Sequence, residues 1–411
     1  MKIYSSEISG SLKVRGDIKA ENYIVQSTVT QLTQSFISGS TISGDSPDDT
    51  HQFTGSLFIS ASRIDLVDHA TKGTFLGFNA GTGSGAGDNN VGIGYEALTS
   101  PNGAQSIVAI GRGAGKNITK SSQSGVYSIL LGTNANYNNT AGSNVIAIGF
   151  EAGAHSSAGQ TNAILIGYQA GDAGAGPTNS IVIGHGAFGS ATGHAQYITA
   201  VGQDAMKGSA STTTGINGAV AIGHKSLYSI TSGGGNTAIG YEAGYALTSG
   251  AGNTTIGYQA LYTEDTGGGN TAIGYQALKF NNDDDSAAGN TAIGYQAASN
   301  MTANARNTII GYQAASGSAG GVNNNVIIGW KAGTSINSND AGRNVIIGKE
   351  AGTGGTGVLA SAVIIGEKAM NSTANHGSTG QIAIGMSALN ALTSGTNNLA
   401  IGYEAMKVHT T

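Results

Sequence analysis

An aromatic side chain recurs at one fixed place along this chain of 411 residues, directly after the glycine of a repeated Ile-Gly pair. Aromatic faces stack on sugar rings, so an unbroken run of such side chains predicts a stripe that contacts a glycan. Packing between neighbouring repeats or between chains explains the same column, and we favour it because Arg112 and Lys349 interrupt the series. The unbroken part, called the aromatic ladder below, consists of Tyr241, Tyr258, Tyr275, Tyr295, Tyr312 and Trp330.

The position after the aromatic residue is Glu or Gln in many copies. Hydrolysis of a glycoside needs two particular carboxylates at a set separation. Because Glu242 gives way to Gln259 and Gln276 in the same column, we expect a solvated or hydrogen-bonded face rather than a catalytic one. No serine lies in a Gly-x-Ser-x-Gly motif between strand and helix patterns. The sequence therefore predicts that the chain is not an enzyme and uses no cofactor.

Acidic stretches are the remaining candidates for chemistry. The run of three aspartates at residues 283–285 lies in the loop NNDDDSAAGN, and oxygen-rich loops can hold Ca²⁺. Its spacing is not that of an EF-hand, so a solvated charged loop is the simpler interpretation, and the same applies to Asp45, Asp48 and Asp49. The eight histidines are scattered and form no His-x-His pair. We expect no metal site.

The elements that position these side chains are internal repeats. Nineteen units, each anchored on an apolar-Gly pair, recur at intervals of 17 to 21 residues from Gly77 to Gly402. Ile precedes the glycine in sixteen units, and Ala stands three residues after it in eighteen. One short unit cannot bury an apolar side chain alone, whereas stacked units place each column on itself. The runs before the glycine are short and β-branched, which favours strands.

These patterns predict an all-β fold in which residues 71–411 form a parallel β-solenoid, or β-roll, of nineteen coils. We expect two short strands per coil, with the Ile column, for example Ile273, as the core. The Ala column is expected to supply the small inward residue of the second strand. Turn-forming stretches such as TEDTGGG at residues 263–269 connect the repeats, and the variation in coil length is expected there.

Residues 1–70 lack the Ile-Gly repeat. They carry Gly-Ser turns beside short apolar stretches, as in ISGSL at residues 8–12 and FTGSL at residues 53–57. Short strands are the natural interpretation. The segment has too little apolar mass for an independent core, so we expect a small β-rich segment that partner chains complete.

Composition limits the classes of function. The chain has 68 Gly, 3 Pro, no Cys, only 10% charged residues and a formal net charge of -5. Without cysteine there are no disulfides or thiolate metal sites. Mild acidity with few Lys and Arg argues against binding of nucleic acid. The N-terminus lacks the apolar run of a secretory signal, and no stretch reaches the length of a transmembrane helix. We therefore expect synthesis in a cytoplasm and no membrane insertion.

Two segments resemble known families. The stretch SGSTISGDSPDDTHQFTGS at residues 38–56 resembles segments of virion structural proteins from tailed phages of marine cyanobacteria, in which similar stretches precede fibre-like regions. The repeat N-[TV]-[AI]-I-G-x-x-A, across residues 74–406, resembles the head repeats of YadA-like trimeric adhesins. The second resemblance implies a left-handed β-roll of three chains in which the Ile faces the core, although the coils here are longer.

Together the resemblances imply a structural fibre or appendage subunit of a phage virion, made in the host cytoplasm. Residues 1–70 would then join other virion proteins, and residues 71–411 would form a homotrimeric shaft that contacts host-surface polysaccharide. Two alternatives stay open. A polysaccharide-degrading tailspike requires a discrete acidic cleft, and a bacterial surface adhesin requires an export signal that this sequence does not show.

Overall fold

The computed structural model describes residues 72–408 except 83–87, 100–102, 119–126, 141, 156–158, 173, 175, 191–194, 209–214, 282–288, 303–304, 319–322, 337–341, 355–357, 372–377 and 394. The predicted N-terminal segment at residues 1–70 lies outside the described residues. So do the acidic runs at residues 45–49 and 283–285.

Strand pairing in the described part of the chain forms one parallel sheet of 19 strands. Each strand pairs with the equivalent strands of the coils on either side, so Thr271 lies beside Thr254 and beside Thr291. No helix occurs in the described ranges. The fold is therefore all-β, a parallel β-solenoid, as the repeats predict.

The 19 strands of this sheet are short, most of them three residues long. A separate pair, β17 (Leu359–Ala360) and β19 (Ser378–Thr379), forms a second parallel sheet. The main sheet consists of β1 (Thr74–Leu76), β2 (Val91–Ile93), β3 (Val108–Ile110), β4 (Ile129–Leu131), β5 (Val145–Ile148), β6 (Thr161–Ile166), β7 (Thr178–Ile183), β8 (Thr199–Val201), β9 (Val220–Ile222), β10 (Thr237–Ile239), β11 (Thr254–Ile256), β12 (Thr271–Ile273), β13 (Thr291–Ile293), β14 (Thr308–Ile310), β15 (Val326–Ile328), β16 (Val345–Ile347), β18 (Val363–Ile365), β20 (Ile382–Ile384) and β21 (Leu399–Ile401).

Coil length does not disturb the pairing of the strands. β11 and β12 start 17 residues apart, β12 and β13 start 20 residues apart, and both pairs keep the same register. The three extra residues therefore lie in the connection that follows the turn, which confirms that length variation falls outside the repeated core.

The half of the coil after the glycine is not a second strand, so the expectation of two strands per coil is wrong. In that half Gln276 and Leu278 have positive φ angles of 53° and 49°. The Gln276 N–H donates to the Tyr258 carbonyl of the preceding coil, and the Leu278 N–H donates to the Ala297 carbonyl of the following coil. Residues with left-handed backbone angles thus alternate along this half of the coil. Their N–H groups form hydrogen bonds to neighbouring coils although the chain is in a turn conformation and not in a strand.

The Ile column lies on the outer face of the sheet, so its assignment to the core is also wrong. In β12 the inward residue is Ala272, which is fully buried, while Thr271 and Ile273 are only partly buried. Successive strand residues face opposite sides of a sheet, and an error of one residue exchanges the two faces. The prediction for the Ala column is confirmed as far as its burial goes, because Ala277 and its equivalents point inward.

The interior of each coil is narrow and filled mostly by small side chains. Ala272 and Ala277 bring the two halves of the coil together, and Leu278 fills the space beside them. Larger residues, such as Ile230 and Leu247, occupy the far corner of their coils. Burying one side chain of that size is worth about 1.5–3 kcal/mol, so stability accumulates from many thin layers.

A column of buried asparagines closes the corner before each strand in seven successive coils. The Oδ1 of Asn253 accepts the backbone N–H of Asn270 at 2.8 Å, and the Oδ1 of Asn270 accepts that of Asn290 at 2.9 Å. Each buried N–H left without such a partner would cost about 1–3 kcal/mol. The uninterrupted asparagine ladder consists of Asn236, Asn253, Asn270, Asn290, Asn307, Asn325 and Asn344.

The glycine column permits the coils to approach at the corner after the strand. Gly274 has a φ of 134°, and a Cβ at this position would overlap the carbonyl oxygen of Gly294 in the next coil. The same collision with the next glycine recurs along the column. Both the backbone conformation and the contact therefore require glycine.

We expect Gly274→Ala to lower the free energy of unfolding by about 3 kcal/mol or more, because the backbone of two coils must separate. Gly252→Ala is the matched control. Gly252 has a φ of 68° but nothing within 4 Å of an added Cβ. Replacing it with Ala should therefore lower the free energy of unfolding by only about 1 kcal/mol. Thermal unfolding followed by circular dichroism compares the two variants. Equal shifts of the melting temperature would contradict the close contact between coils.

Candidate functional site

The aromatic ladder is a continuous stack on the surface of the solenoid. Its side chains are 40 to 45% exposed. Neighbouring tyrosine rings lie 5.0 to 5.2 Å apart between centroids and within 9° of parallel. Trp330 continues the stack at 6.4 Å from Tyr312. The six residues that the sequence singles out are therefore brought together.

Each ring of the ladder packs against the rings of the coils above and below. Near-parallel rings at this separation form offset stacks, which contribute about 0.5–1.5 kcal/mol per pair beyond area burial. Packing between coils is thus one role of the column. Because neighbouring rings cover much of each face, a molecule that approaches from the side meets ring edges and hydroxyl groups.

One histidine extends the aromatic ladder, and another belongs to a separate stack in earlier coils. His224 lies on Tyr241 with centroids 5.0 Å apart, and His185 lies on Tyr168 at 4.9 Å, with Phe150 on the other side of Tyr168. Both histidines stand in the aromatic column. An imidazole therefore serves here as one more flat ring.

A second, shorter stack of tyrosine rings lies beside the aromatic ladder. It was not predicted from the sequence. Tyr228, Tyr245 and Tyr262 are 5.1 Å apart between successive centroids and are partly buried. Each stands five residues after the glycine of its coil, so the repeat register contained the signal. Lysines Lys207 and Lys225 lie over the first ring of this stack, at 6.0 and 5.6 Å from its centroid.

Glutamine and glutamate side chains form a row of hydrogen bonds beside the aromatic ladder. The Nε2 of Gln259 donates to the Oε2 of Glu242 at 2.9 Å, and Gln276 donates to the Oε1 of Gln259 at 3.2 Å. Gln296 and Gln313 continue the row at 3.1 and 2.9 Å. The prediction of a hydrogen-bonded face is confirmed, and we call this row the amide ladder.

Glu242 introduces a negative charge beside both tyrosine stacks. Its carboxylate is the main reason that the pKa of Tyr241 is raised above the ordinary value, with burial adding to it. The pKa of Tyr262 is raised first by burial and then by the same carboxylate. Both shifts oppose ionisation of the phenol, so each hydroxyl keeps its proton to a higher pH than an ordinary tyrosine does.

At two places in these columns a lysine meets a glutamate in the neighbouring coil. Lys349 lies 3.0 Å from Glu367 in the aromatic column, and Lys368 lies 3.9 Å from Glu350 in the column beside it. These pairs are well exposed, so each contributes at most about 1 kcal/mol. Their importance is that they avoid like charges at the coil spacing.

The described part of the chain contains neither a cluster of metal-ligating side chains nor a long apolar helix. No group of three or more His, Cys, Asp or Glu side chains that could hold a metal ion occurs there. Nor does a helix long and apolar enough to cross a membrane.

Comparison with known proteins does not assign the chain to a family. No protein-family model matches it, and no curated protein matches its sequence.

We expect Glu242→Gln to lower the pKa of Tyr241 towards the ordinary value, because the substitution removes the negative charge that opposes ionisation of the phenol. Titration of the protein with ¹³C-labelled tyrosine, followed by NMR, measures this pKa. Glu151→Gln is the control, since its neighbour in the aromatic column is Phe150 and it lies five coils away. An unchanged Tyr241 titration in Glu242→Gln would mean that the carboxylate does not face the ring.

Proposed function

We propose that this protein is a structural fibre or appendage subunit of a phage virion. The observation that carries the proposal is the unbroken parallel sheet from β1 to β21, since a solenoid of this kind is compatible with a fibre. The resemblance of residues 38–56 to phage virion proteins supports the location in a virion. In this proposal residues 1–70 join other virion proteins.

We further propose that the shaft is a homotrimer whose chains pack through the outer face of the sheet. That face carries the Ile column and a second column of Thr, Val, Ile or Leu two residues before it, and neither column contains a charged residue. Ile110 and Ile239 are 41% and 37% exposed in the single chain. Exposed apolar side chains that recur along one face of a protein mark it as a candidate interaction surface.

Further copies of the same chain are the fitting partners for this face. A partner chain offers an equally long, uncharged face with the same spacing between coils, so every layer can be covered at once. Burial between chains also explains why Ile fills this outward position in sixteen coils. The aromatic and amide ladders lie in the half of the coil after the glycine and stay available to the host surface. We propose that they contact polysaccharide there through ring edges and hydroxyls.

We expect the double substitution of Ile256 and Ile273 to Asp to reduce the molecular mass in solution below that of three chains while the β-structure persists. Two buried carboxylates per chain would have to be desolvated in the interface. Multi-angle light scattering measures the mass, and circular dichroism measures the secondary structure. The control replaces Tyr258 and Tyr275, which are exposed on the turn half of the coil, with Asp and should remain trimeric. A wild-type protein with the mass of one chain would refute the trimer.

The position in the virion is tested on intact particles. Gold-labelled antibodies against the solenoid should bind a tail fibre or another appendage of phage particles that encode this chain, as seen by electron microscopy. The proposed role would be excluded if neither antibody labelling nor mass spectrometry detects the protein in purified particles.

A further inference from the structure

A groove opens where the second tyrosine stack ends. Tyr262 is the last ring of that stack, and the equivalent positions of the following coils hold Lys279, Ser299 and Ser316. The space that a tyrosine ring would fill is therefore left open. The resulting groove has a volume of about 250 Å³ and runs across three coils, with the amide ladder on one side and these residues on the other.

The amide ladder leaves hydrogen-bonding groups free along this groove. A glutamine amide has two N–H donors and two acceptor positions. Gln276 and Gln296 each donate one N–H to the preceding coil and accept one from the following coil. One donor and one acceptor per side chain remain, and both side chains line the groove. A sugar hydroxyl, which donates and accepts, is the matching group.

The separation of the coils sets the repeat of these free groups. Rings in the same three coils lie 5.0 Å and 5.1 Å apart, from Tyr275 to Tyr295 and from Tyr295 to Tyr312. This is nearly the length that one pyranose adds to an extended β-1,4-linked chain. Such a chain places one pyranose at each coil, and because successive pyranoses are turned over, each presents hydroxyl groups from alternate edges to the groove. An α-1,4-linked chain winds and loses the register.

Charge in the groove is low. Lys279 is the one ionisable side chain among the groove's described lining residues, and its Nζ lies over the ring of Phe280, 4.9 Å from the centroid. No carboxylate lines the groove in the described part of the chain. A neutral, hydroxyl-rich ligand therefore fits better than a charged one, because it needs no opposite charge at each coil.

We propose that the groove binds a stretch of a neutral, β-1,4-linked polysaccharide, which lies along the stack of coils with one pyranose per coil. Gln276, Gln296 and Gln313 supply the hydrogen bonds, and the serines opposite leave room for the rings. The inference rests on the proposed function in taking the ligand from a host surface. It names a site distinct from the aromatic ladder.

Isothermal titration calorimetry on the full chain tests this site with cellohexaose and chitohexaose, and with maltohexaose as the α-1,4-linked comparison. We expect binding of at least one β-1,4-linked hexasaccharide and none of maltohexaose. Ser316→Tyr should abolish binding, since it restores the ring that Tyr262 provides in an earlier coil. Gln296→Met should weaken binding by about tenfold or more, because it removes the amide donor and acceptor that would form hydrogen bonds with the sugar.

Gln259→Met is the matched control. Gln259 occupies the same hydrogen-bonded row but does not line the groove, so its substitution should leave the affinity unchanged. Melting temperatures of all variants verify that they fold. The groove is refuted if neither β-1,4-linked ligand binds, if maltohexaose binds equally well, or if Ser316→Tyr folds and binds normally. If Tyr295→Phe loses binding of the hexasaccharide and Ser316→Tyr does not, the sugar contacts the aromatic ladder and not the groove. None of these outcomes affects the mass measurement or the particle labelling, which test the fibre separately.

Discussion

In-register stacking is the constraint on which the rest of this structure depends. Each strand pairs with its equivalent in the next coil, so the nearest neighbour of a side chain is the residue at the same position one coil away. A residue type can fill a column only if it is compatible with itself at about 5 Å. Glycine, alanine, isoleucine, asparagine, glutamine and aromatic residues meet this condition, and they are the residues that dominate the columns.

Charged side chains do not meet that condition, and the sequence treats them accordingly. Where the column after the aromatic residue becomes charged, Lys331, Glu350 and Lys368 alternate in sign. The adjacent column pairs Lys349 with Glu367 in the same layers. The low overall content of charged residues follows from the same rule, because a repeated charge would repel itself at every coil.

Polar groups inside the coil are tolerated where stacking supplies a partner. The asparagine ladder converts each amide into the acceptor for the next backbone N–H, so one residue type satisfies the same corner repeatedly. Glu264 shows a related arrangement, with its carboxylate accepting from the Gly267 N–H at 2.7 Å and from the amide of Asn281 in the next coil at 2.5 Å. Asn136 is buried in a column that otherwise holds apolar or small residues, and neither of its side-chain polar atoms has a hydrogen-bond partner.

The sequence was sufficient to predict the solenoid, its coil boundaries and the stacked aromatic ladder, because all three depend only on what recurs and at what interval. It did not reveal which face of the strand is inward. A three-residue strand gives too little alternation to decide, and the near-invariant Ile273 column suggested a core when it lies outside. The second strand was wrongly expected because left-handed conformations at Gln276 and Leu278 leave no mark in residue type. The second tyrosine stack and the groove beyond it were missed because they occupy only a few coils.

The independence of strand register from coil length has a consequence for how such a protein changes over generations. Because insertions between coils leave the pairing of β12 and β13 intact, a whole coil can be gained or lost by recombination between near-identical stretches, and the layers on either side re-form the same contacts. The length of the solenoid can then change in steps of one coil. Any binding feature confined to a few coils, such as the groove, can be moved, doubled or deleted as a module while the remainder of the molecule keeps its structure.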